Sequence, residues 1–266
     1  MNVTLRRGRY LARYAGDAAD LRAAQRLRHL CFVERGGAVP RAGGIEADAF
    51  DARCQHVLVE ESRSGRLVAC FRLLPVTGAG IGGTYSAQHY DLGALADFPG
   101  PMVEMGRFCI DPAVQDADVL RVAWGAVANY VDATGVGLLF GCSSFAGTQA
   151  LPYHDAFSLL AARYAAPRRW RPEVRAAEVF RYAEVLGPGL PDLRPAMAQM
   201  PPLLRSYLAM GGWVSDHAVV DRDMNTLHVF TGLEIAAIPP ARARALRAVA
   251  EEGHAGIPAG ASGGDI

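Results

Sequence analysis

A mixed α/β sheet flanked by helices is the fold class this sequence predicts, and three observations predict it. Short apolar runs rich in Val, Phe, Leu and Ile recur at residues 54–60, 67–74, 101–110, 137–142, 213–220 and 226–230, the signature of half-buried or buried strands. Between them lie stretches with apolar residues at helical spacing, two of them opened by aspartates at capping positions. Their order is strand, helix, hairpin, strand, helix, strand, helix and closing strands, which gives a mixed sheet with an opening after the central strand. The 266 residues are 51% hydrophobic, which suits one large domain with additions. That domain is expected over 1–232, a C-terminal helix over 233–252, and a Gly/Ala/Ser-rich disordered tail over 253–266.

Taken in order, Arg9 to Arg13 alternates and reads as an edge strand. Asp17 opens a helix with Asp20 three residues on, close to a capping box. Leu21, Ala24, Leu27 and Cys31 form its apolar face, Arg22 and Arg26 fall on the solvated side, and Arg28 and Phe32 are four apart and share a side. Gly36-Gly37 ends it. Residues 54–60 and 67–74 form a hairpin through the turn at Ser62–Gly65. Arg72 sits inside the second strand among apolar neighbours and needs an acidic partner, with Asp48, Asp51 and Glu104 as candidates. The glycines of 78–83 do not follow the dinucleotide-loop pattern.

The central run, Pro101 to Pro112, carries Glu104 and Arg107, and charges in such a run are rarely buried unless paired or employed. Three apart, they point to opposite faces of a regular strand, and a bulge near Met105-Gly106 brings them together. A bulge also frees backbone N–H groups able to bind a carbonyl oxygen. Two readings follow: a structural ion pair, or a carboxylate base and a guanidinium beside a reacting carbonyl. Asp116 or Asp118 caps the next helix, Gly135 closes it, and residues 137–142 form a strand followed by Ser143-Ser144, where α/β sites often lie. No G-x-S-x-G elbow surrounds those serines. Residues 150–165 read as a helix, 187–195 as a Pro/Gly linker, and Pro201 to Met210 as a helix with proline in its first turn. Residues 239–252 read as an Arg/Ala helix.

Composition excludes several classes of function. There are 27 Lys plus Arg and 27 Asp plus Glu, so no net field favours nucleic acid or membrane. Lysine is absent, which removes a Schiff-base lysine and a Walker-type phosphate lysine. The 5 cysteines are scattered with no C-x-x-C spacing and fit free thiols in a reducing compartment; no metal site is expected. The start lacks the apolar region of a signal peptide, and no run reaches the ~18 apolar residues of a spanning helix, so a cytoplasmic protein is expected. Arg163, Arg168, Arg169 and Arg171 cluster with aromatics, either as a solvated loop or as a docking surface for an acidic partner or lipid headgroups.

Arg28 with Phe32, Asp48 with Asp51, Arg72 in Phe-Arg-Leu-Leu-Pro, and Glu104-Met-Gly-Arg107 occur in one order that resembles the acyl-homoserine-lactone synthases. The chain is more similar to their relatives, the L-ornithine N-alpha-acyltransferases. The stretches that carry the likeness are Phe50-Asp51 to Val59, Tyr85-Ser86, Glu104 to Arg107, Leu139 to Phe145, Met200 to Leu208 and Val219-Val-Asp221, over roughly residues 20–232. The resemblance implies a GNAT-like, mostly antiparallel central sheet. It also implies transfer of a 3-hydroxyacyl group from acyl carrier protein to the α-amino group of L-ornithine, giving lyso-ornithine lipid. No cofactor is implied, since phosphopantetheine arrives on the carrier.

Two departures bear on this reading. The tryptophan that follows Phe32 in the homoserine-lactone enzymes is missing, and so is the glycine-bearing pyrophosphate loop of coenzyme A-using relatives, for Asp111 to Asp118 holds no glycine. The resemblance implies Glu104 and Arg107 as catalytic residues, and Arg28, Phe32, Asp48, Asp51, Arg72, Ser143 and Ser144 as substrate-binding. Whether Arg72 and Arg107 hold the acidic pair or bind the amino acid's carboxylate, and whether Asp48 and Asp51 receive its side-chain amine, stays open. So do the rival readings: glutamine or lysine as acceptor, a homoserine-lactone product, or a binding module without catalysis. A product with one acyl chain is compatible with peripheral contact at the inner membrane.

Overall fold

Alternation along the hairpin strands decides which helix covers which face. In the computed structural model, which describes residues 5–187, 189 and 191–255, with side chains through 248, strands β1 (Leu5–Arg7) and β2 (Tyr10–Tyr14) form the first hairpin. Helix α1 (Ala18–Arg28) follows, with the Asp17 carboxylate accepting from Asp20 N at 2.9 Å as the capping pattern predicts. It does not simply stop at Gly36: residues His29–Glu34 loosen into a π turn. Then come β3 (Gln55–Glu61) and β4 (Leu67–Val76). Val57 and Val59 of β3 face the main core, while Leu58 and Cys70 face α1.

A short strand β5 (Tyr90–Asp91) precedes the central strand β6 (Met102–Ile110). Helix α2 (Ala117–Thr134), capped by Asp116 and closed by left-handed Gly135, buries Val119, Val122, Ala123 and Val127 against the sheet. Each large apolar side chain buried in this way contributes about 1.5–3 kcal/mol. Strand β7 (Leu138–Ala146) runs four residues past the expected end and takes in both Ser143 and Ser144. Helix α3 (His154–Arg163) follows, then β8 (Glu173–Val174), which pairs with β5, and β9 (Val179–Phe180). Helix α4 (Tyr182–Val185) precedes the stretch 187–195 that reads as linker, and α5 (Leu193–Gln199) begins inside it; Tyr182 and Ala196 pack both into the core with α3. Helix α6 (Pro202–Ala209) has its proline at the first turn. Strands β10 (Trp213–Asp221) and β11 (Thr226–Glu234) close the sheet, and α7 (Pro240–Ala255) packs on α2. The expected tail begins inside α7; its residues 256–266 lie outside the described part.

Among the described residues the main sheet has nine strands, in the order β1-β2-β3-β4-β6-β7-β11-β10-β9. Every pairing is antiparallel except that of β6 with β7. That parallel ladder is short: Met102, Val103 and Glu104 pair with Leu138, Leu139 and Phe140, and then the two strands part. Strand β6 stays bonded to β4 as far as Ile110, and β7 stays bonded to β11 as far as Ala146. The split therefore opens the middle of the sheet without fraying either half. At its apex a Cβ on Gly141 would lie 2.3 Å from the Met105 carbonyl oxygen, so only glycine lets the strands come this close before diverging. No helix among the described residues is long and apolar enough to cross a membrane.

Gly141→Ala is expected to shift the β6–β7 apex and lower stability by about 1–3 kcal/mol, measured by urea unfolding. An unchanged midpoint would mean the apex tolerates the methyl group.

Candidate active site

The bulge expected near Met105-Gly106 exists, two residues later. Cys70 pairs with Cys109 and Arg72 with Gly106, so Arg107 and Phe108 together oppose one residue of β4. Arg107 itself, not Gly106, takes the left-handed conformation, at φ 52°. An arginine is held in this strained state by what its side chain touches. Its Nε lies 3.0 Å from Glu46 Oε1, its Nη2 lies 3.1 Å from Asp48 Oδ2, and its guanidinium sits over the Tyr85 ring at 4.6 Å.

Those contacts belong to a larger ion network. Arg28, 1% exposed, forks onto Asp51 at 2.8 and 2.7 Å and reaches Glu46 Oε2 at 2.7 Å. Arg72 forks onto Asp48 at 2.6 and 2.8 Å and meets Asp51 Oδ1 at 2.7 Å. Three guanidiniums thus interlock with the carboxylates of Glu46, Asp48 and Asp51. Burial alone would raise the Asp48 and Asp51 carboxyls; the guanidiniums outweigh it and hold both below the ordinary 3.8. Every oxygen of the two aspartates has a hydrogen-bond donor. Asp51 Oδ2 also accepts from Gln25 at 2.9 Å, and His56 sits 2.9 Å from the Asp51 carbonyl. Glu46 carries a share of this network equal to the aspartates', and nothing in its local sequence marks it apart from a loop acid.

Beside the network, between the parted strands, is an open cleft of about 300 Å³. Its walls include Phe32, Glu104, Arg107, Ser143 and Ser144 among the residues singled out in the sequence. Arg28, Asp48, Asp51 and Arg72 do not line it; they stand behind Arg107. The π turn explains the separation of Arg28 from Phe32, since the changed helical phase sends one into the network and the other to the cleft. Arg163, Arg168, Arg169 and Arg171 lie away from the cleft on the exposed surface, where Arg169 pairs with Glu234 at 2.9 Å.

Glu104 is 4% exposed, and its oxygens accept the backbone N–H groups of Tyr85 at 2.8 Å and Ser86 at 2.6 Å. Burial raises its carboxyl above the ordinary 4.5 despite those two donors. Each oxygen keeps a second lone pair. Met105 to Phe108 lie on the cleft wall where β7 has left the ladder, so backbone N–H groups of the bulged strand are open to an oxyanion. Cys142 also lines the cleft, but burial pushes its thiol up to about 12, which disfavours a thiolate nucleophile. The Ser143 hydroxyl is bonded to Thr231 Oγ1 at 2.9 Å. The remaining walls are largely apolar: Phe108, Phe145, Pro201, Leu203, Leu204 and Met224. Sequence reading passed over Asp221 and His228, which sit in the closing hairpin 117 and more residues from Glu104 and meet it only through the sheet. The resemblance touched Asp221 without giving it a task.

An acetyltransferase (GNAT) domain matches residues 27–125. The chain is 36% identical over 230 residues to an L-ornithine N(alpha)-acyltransferase of Rhodobacter capsulatus, spanning 83% of this chain and 88% of that one. It is 32% identical over 238 residues to an enzyme of the same name from Rhizobium meliloti, spanning 85% and 80%. Among solved structures it is similar to an N-acyl amino acid synthase from uncultured soil microbes, at 13% identity and a TM-score of 0.47, covering 86% and 91% of the two chains.

Asp51→Asn is expected to remove about 3–5 kcal/mol at pH 7 by leaving buried guanidiniums short of charge. Because the folded-state carboxyl is depressed, its contribution is present above the ordinary 3.8 and is lost as pH falls. The gap between wild type and variant should therefore narrow below pH ~4, as read by denaturant unfolding across pH. A gap that widens there would contradict the assignment.

Proposed function

The chain belongs to the L-ornithine N(alpha)-acyltransferase family, and from that membership we propose the reaction it carries out: a 3-hydroxyacyl group passes from acyl carrier protein to the α-amino group of L-ornithine. The product is lyso-ornithine lipid, the first intermediate of ornithine lipid synthesis. The single observation that carries the reading is the cleft at the parted strands, lined by a buried carboxylate and by the bulged stretch of the same strand.

In this reading the phosphopantetheine arm of the carrier enters the opening and no resident cofactor takes part. The acyl chain lies along the apolar wall of Phe108, Phe145 and Leu204. The α-amine, with a pKa near ~8, reacts in its neutral form. Its nitrogen attacks the thioester carbonyl, and the C–N bond forms. The carbonyl oxygen becomes an oxyanion held by the N–H groups of the bulged strand. Glu104, directly or through one water, takes the proton that the nitrogen loses. The C–S bond then breaks, and the thiolate leaves with a proton returned by Glu104. Attack is direct, in keeping with a Cys142 thiol that burial keeps protonated. Arg107 lines the same cleft with its charge balanced by Glu46 and Asp48, which leaves it a rigid wall rather than a free cation. Arg163, Arg168, Arg169 and Arg171 offer a docking surface for an acidic carrier protein. The setting is the cytoplasm, with peripheral contact at the inner membrane where the one-chain product is released.

Purified protein given a 3-hydroxyacyl carrier thioester and a mixture of amino acids should yield one product with the mass of N-acyl ornithine. A product built on glutamine or on lysine would redirect the acceptor assignment. Glu104→Gln should lower kcat by about 100-fold or more. Because the wild-type carboxyl is raised by burial, activity should climb with pH through a value above 4.5, and the variant should lose that limb; full turnover by the variant rejects Glu104 as base. The Michaelis constant for carrier protein should rise with salt, and indifference to salt would argue against arginine docking.

A further inference from the structure

Asp221 is the cleft carboxylate with capacity to spare. Of the acids described above, Glu46, Asp48 and Asp51 are committed to arginines and Glu104 to two backbone N–H groups. Asp221 Oδ1 accepts the turn N–H of Met224 at 2.9 Å, while Oδ2 has the Tyr85 hydroxyl at 3.5 Å, too long to satisfy it. Beside it stand two imidazoles. Ligand atoms of His89, Asp221 and His228 all lie within 4.8 Å of one another.

The state of His228 follows from its neighbour. The Tyr90 hydroxyl donates its one proton to the His228 carbonyl at 2.8 Å and lies 3.1 Å from Nδ1. With that proton spent, Nδ1 must be the donor to the phenolic oxygen, so Nε2 carries the free lone pair. His228 is 2% exposed and lines the cleft, and its Nε2 has no hydrogen-bond partner among the described residues. Burial keeps both His228 and His89 neutral, so each offers an acceptor rather than a charge. A buried acceptor left in this condition costs free energy unless a donor arrives.

We propose that His89, Asp221 and His228 form a cradle for the side-chain ammonium of the amino-acid acceptor, which makes these residues the determinant of selectivity for a diamino acid. An ammonium has three donors and one charge, and the cradle has three acceptors and one charge. Hydrogen bonds of ~2.8 Å in tetrahedral directions set acceptors about 4.6 Å apart, which lies inside the 4.8 Å limit on the three ligand atoms. A zinc ion with bonds of ~2.1 Å needs ligand atoms about 3.4 Å apart, which the same limit also admits, so zinc is the rival occupant that the test separates. The inference rests on the proposed reading that the acceptor is ornithine, and it hands the ammonium a site that the arginine-bound Asp48 and Asp51 cannot provide.

The test compares wild type, Asp221→Asn and His228→Gln with two acceptors of equal carbon chain, L-ornithine and L-norvaline, which lacks the side-chain amine. Asparagine keeps the Oδ1 acceptor for Met224, so the turn should survive. Asp221→Asn should raise KM for ornithine roughly 30-fold with kcat little changed, and should erase the preference over norvaline; His228→Gln should show a smaller shift of the same kind. Preserved discrimination in Asp221→Asn overturns the cradle. Calorimetric binding of both amino acids to the unacylated proteins separates this result from failure of the proposed reaction. Ornithine-specific binding lost in Asp221→Asn supports the cradle even where no acyl transfer occurs, and equal binding of ornithine and norvaline overturns it. Stoichiometric zinc in purified wild type that is missing from His228→Gln also overturns it, in favour of a metal site.

Discussion

The buried ion network of Arg28, Arg72 and Arg107 with Glu46, Asp48 and Asp51 is the constraint on which the site depends. It joins the end of α1, the loop before β3, strand β4 and the bulge of β6 at one point. Burying six charges is unfavourable unless each finds its opposite in good geometry. Here the forked hydrogen bonds and equal numbers of each sign supply that. The network is therefore better understood as a device of placement than as a source of stability. It holds Arg107 in a left-handed conformation that an arginine would not adopt alone, and that conformation makes the bulge.

The bulge acts together with a second device, the early end of the β6–β7 ladder. Parallel strands that stay paired would cover their own N–H groups and leave no room for a ligand. Strands that part after three pairs expose one edge of β6 while β4 still holds the other. Gly141 permits the close approach just before the split. Glu104 stands at the last paired position, tied to the Tyr85–Ser86 backbone, so its carboxylate is fixed where the opening begins. Rigid surroundings of this kind favour catalysis that relies on oriented dipoles rather than on motion.

Much of the frame was legible in the chain. Asp17, Asp116 and Gly135 mark helix ends with their capping chemistry, and they sit where those marks say. The hairpin strands declare themselves by alternation, and the charges of Glu104 and Arg107 announce that the central run is unusual. The reading fell short where local pattern carries little information. Helices α4 and α5 lack long periodicity and are held by tertiary contacts of Tyr182 and Ala196. The π turn changes the partners of Arg28 and Phe32 without any residue that signals it. Strand β7 continues through Ser143 and Ser144 because β11 keeps pairing with it, through Val229 and His228 far along the chain.

The sequence by itself determined the mixed sheet with its helices and the need for acidic partners around Arg72, since periodicity, capping and unpaired charge are local properties, and its likeness to known enzymes gave the family. Only the tertiary structure decided which acids those partners are, and it drew Asp48 and Asp51 out of the cleft while bringing Asp221 and His228 into it. Charge pairing and lone-pair availability depend on distances across the sheet, and strands far apart in the chain become neighbours only when the sheet is assembled.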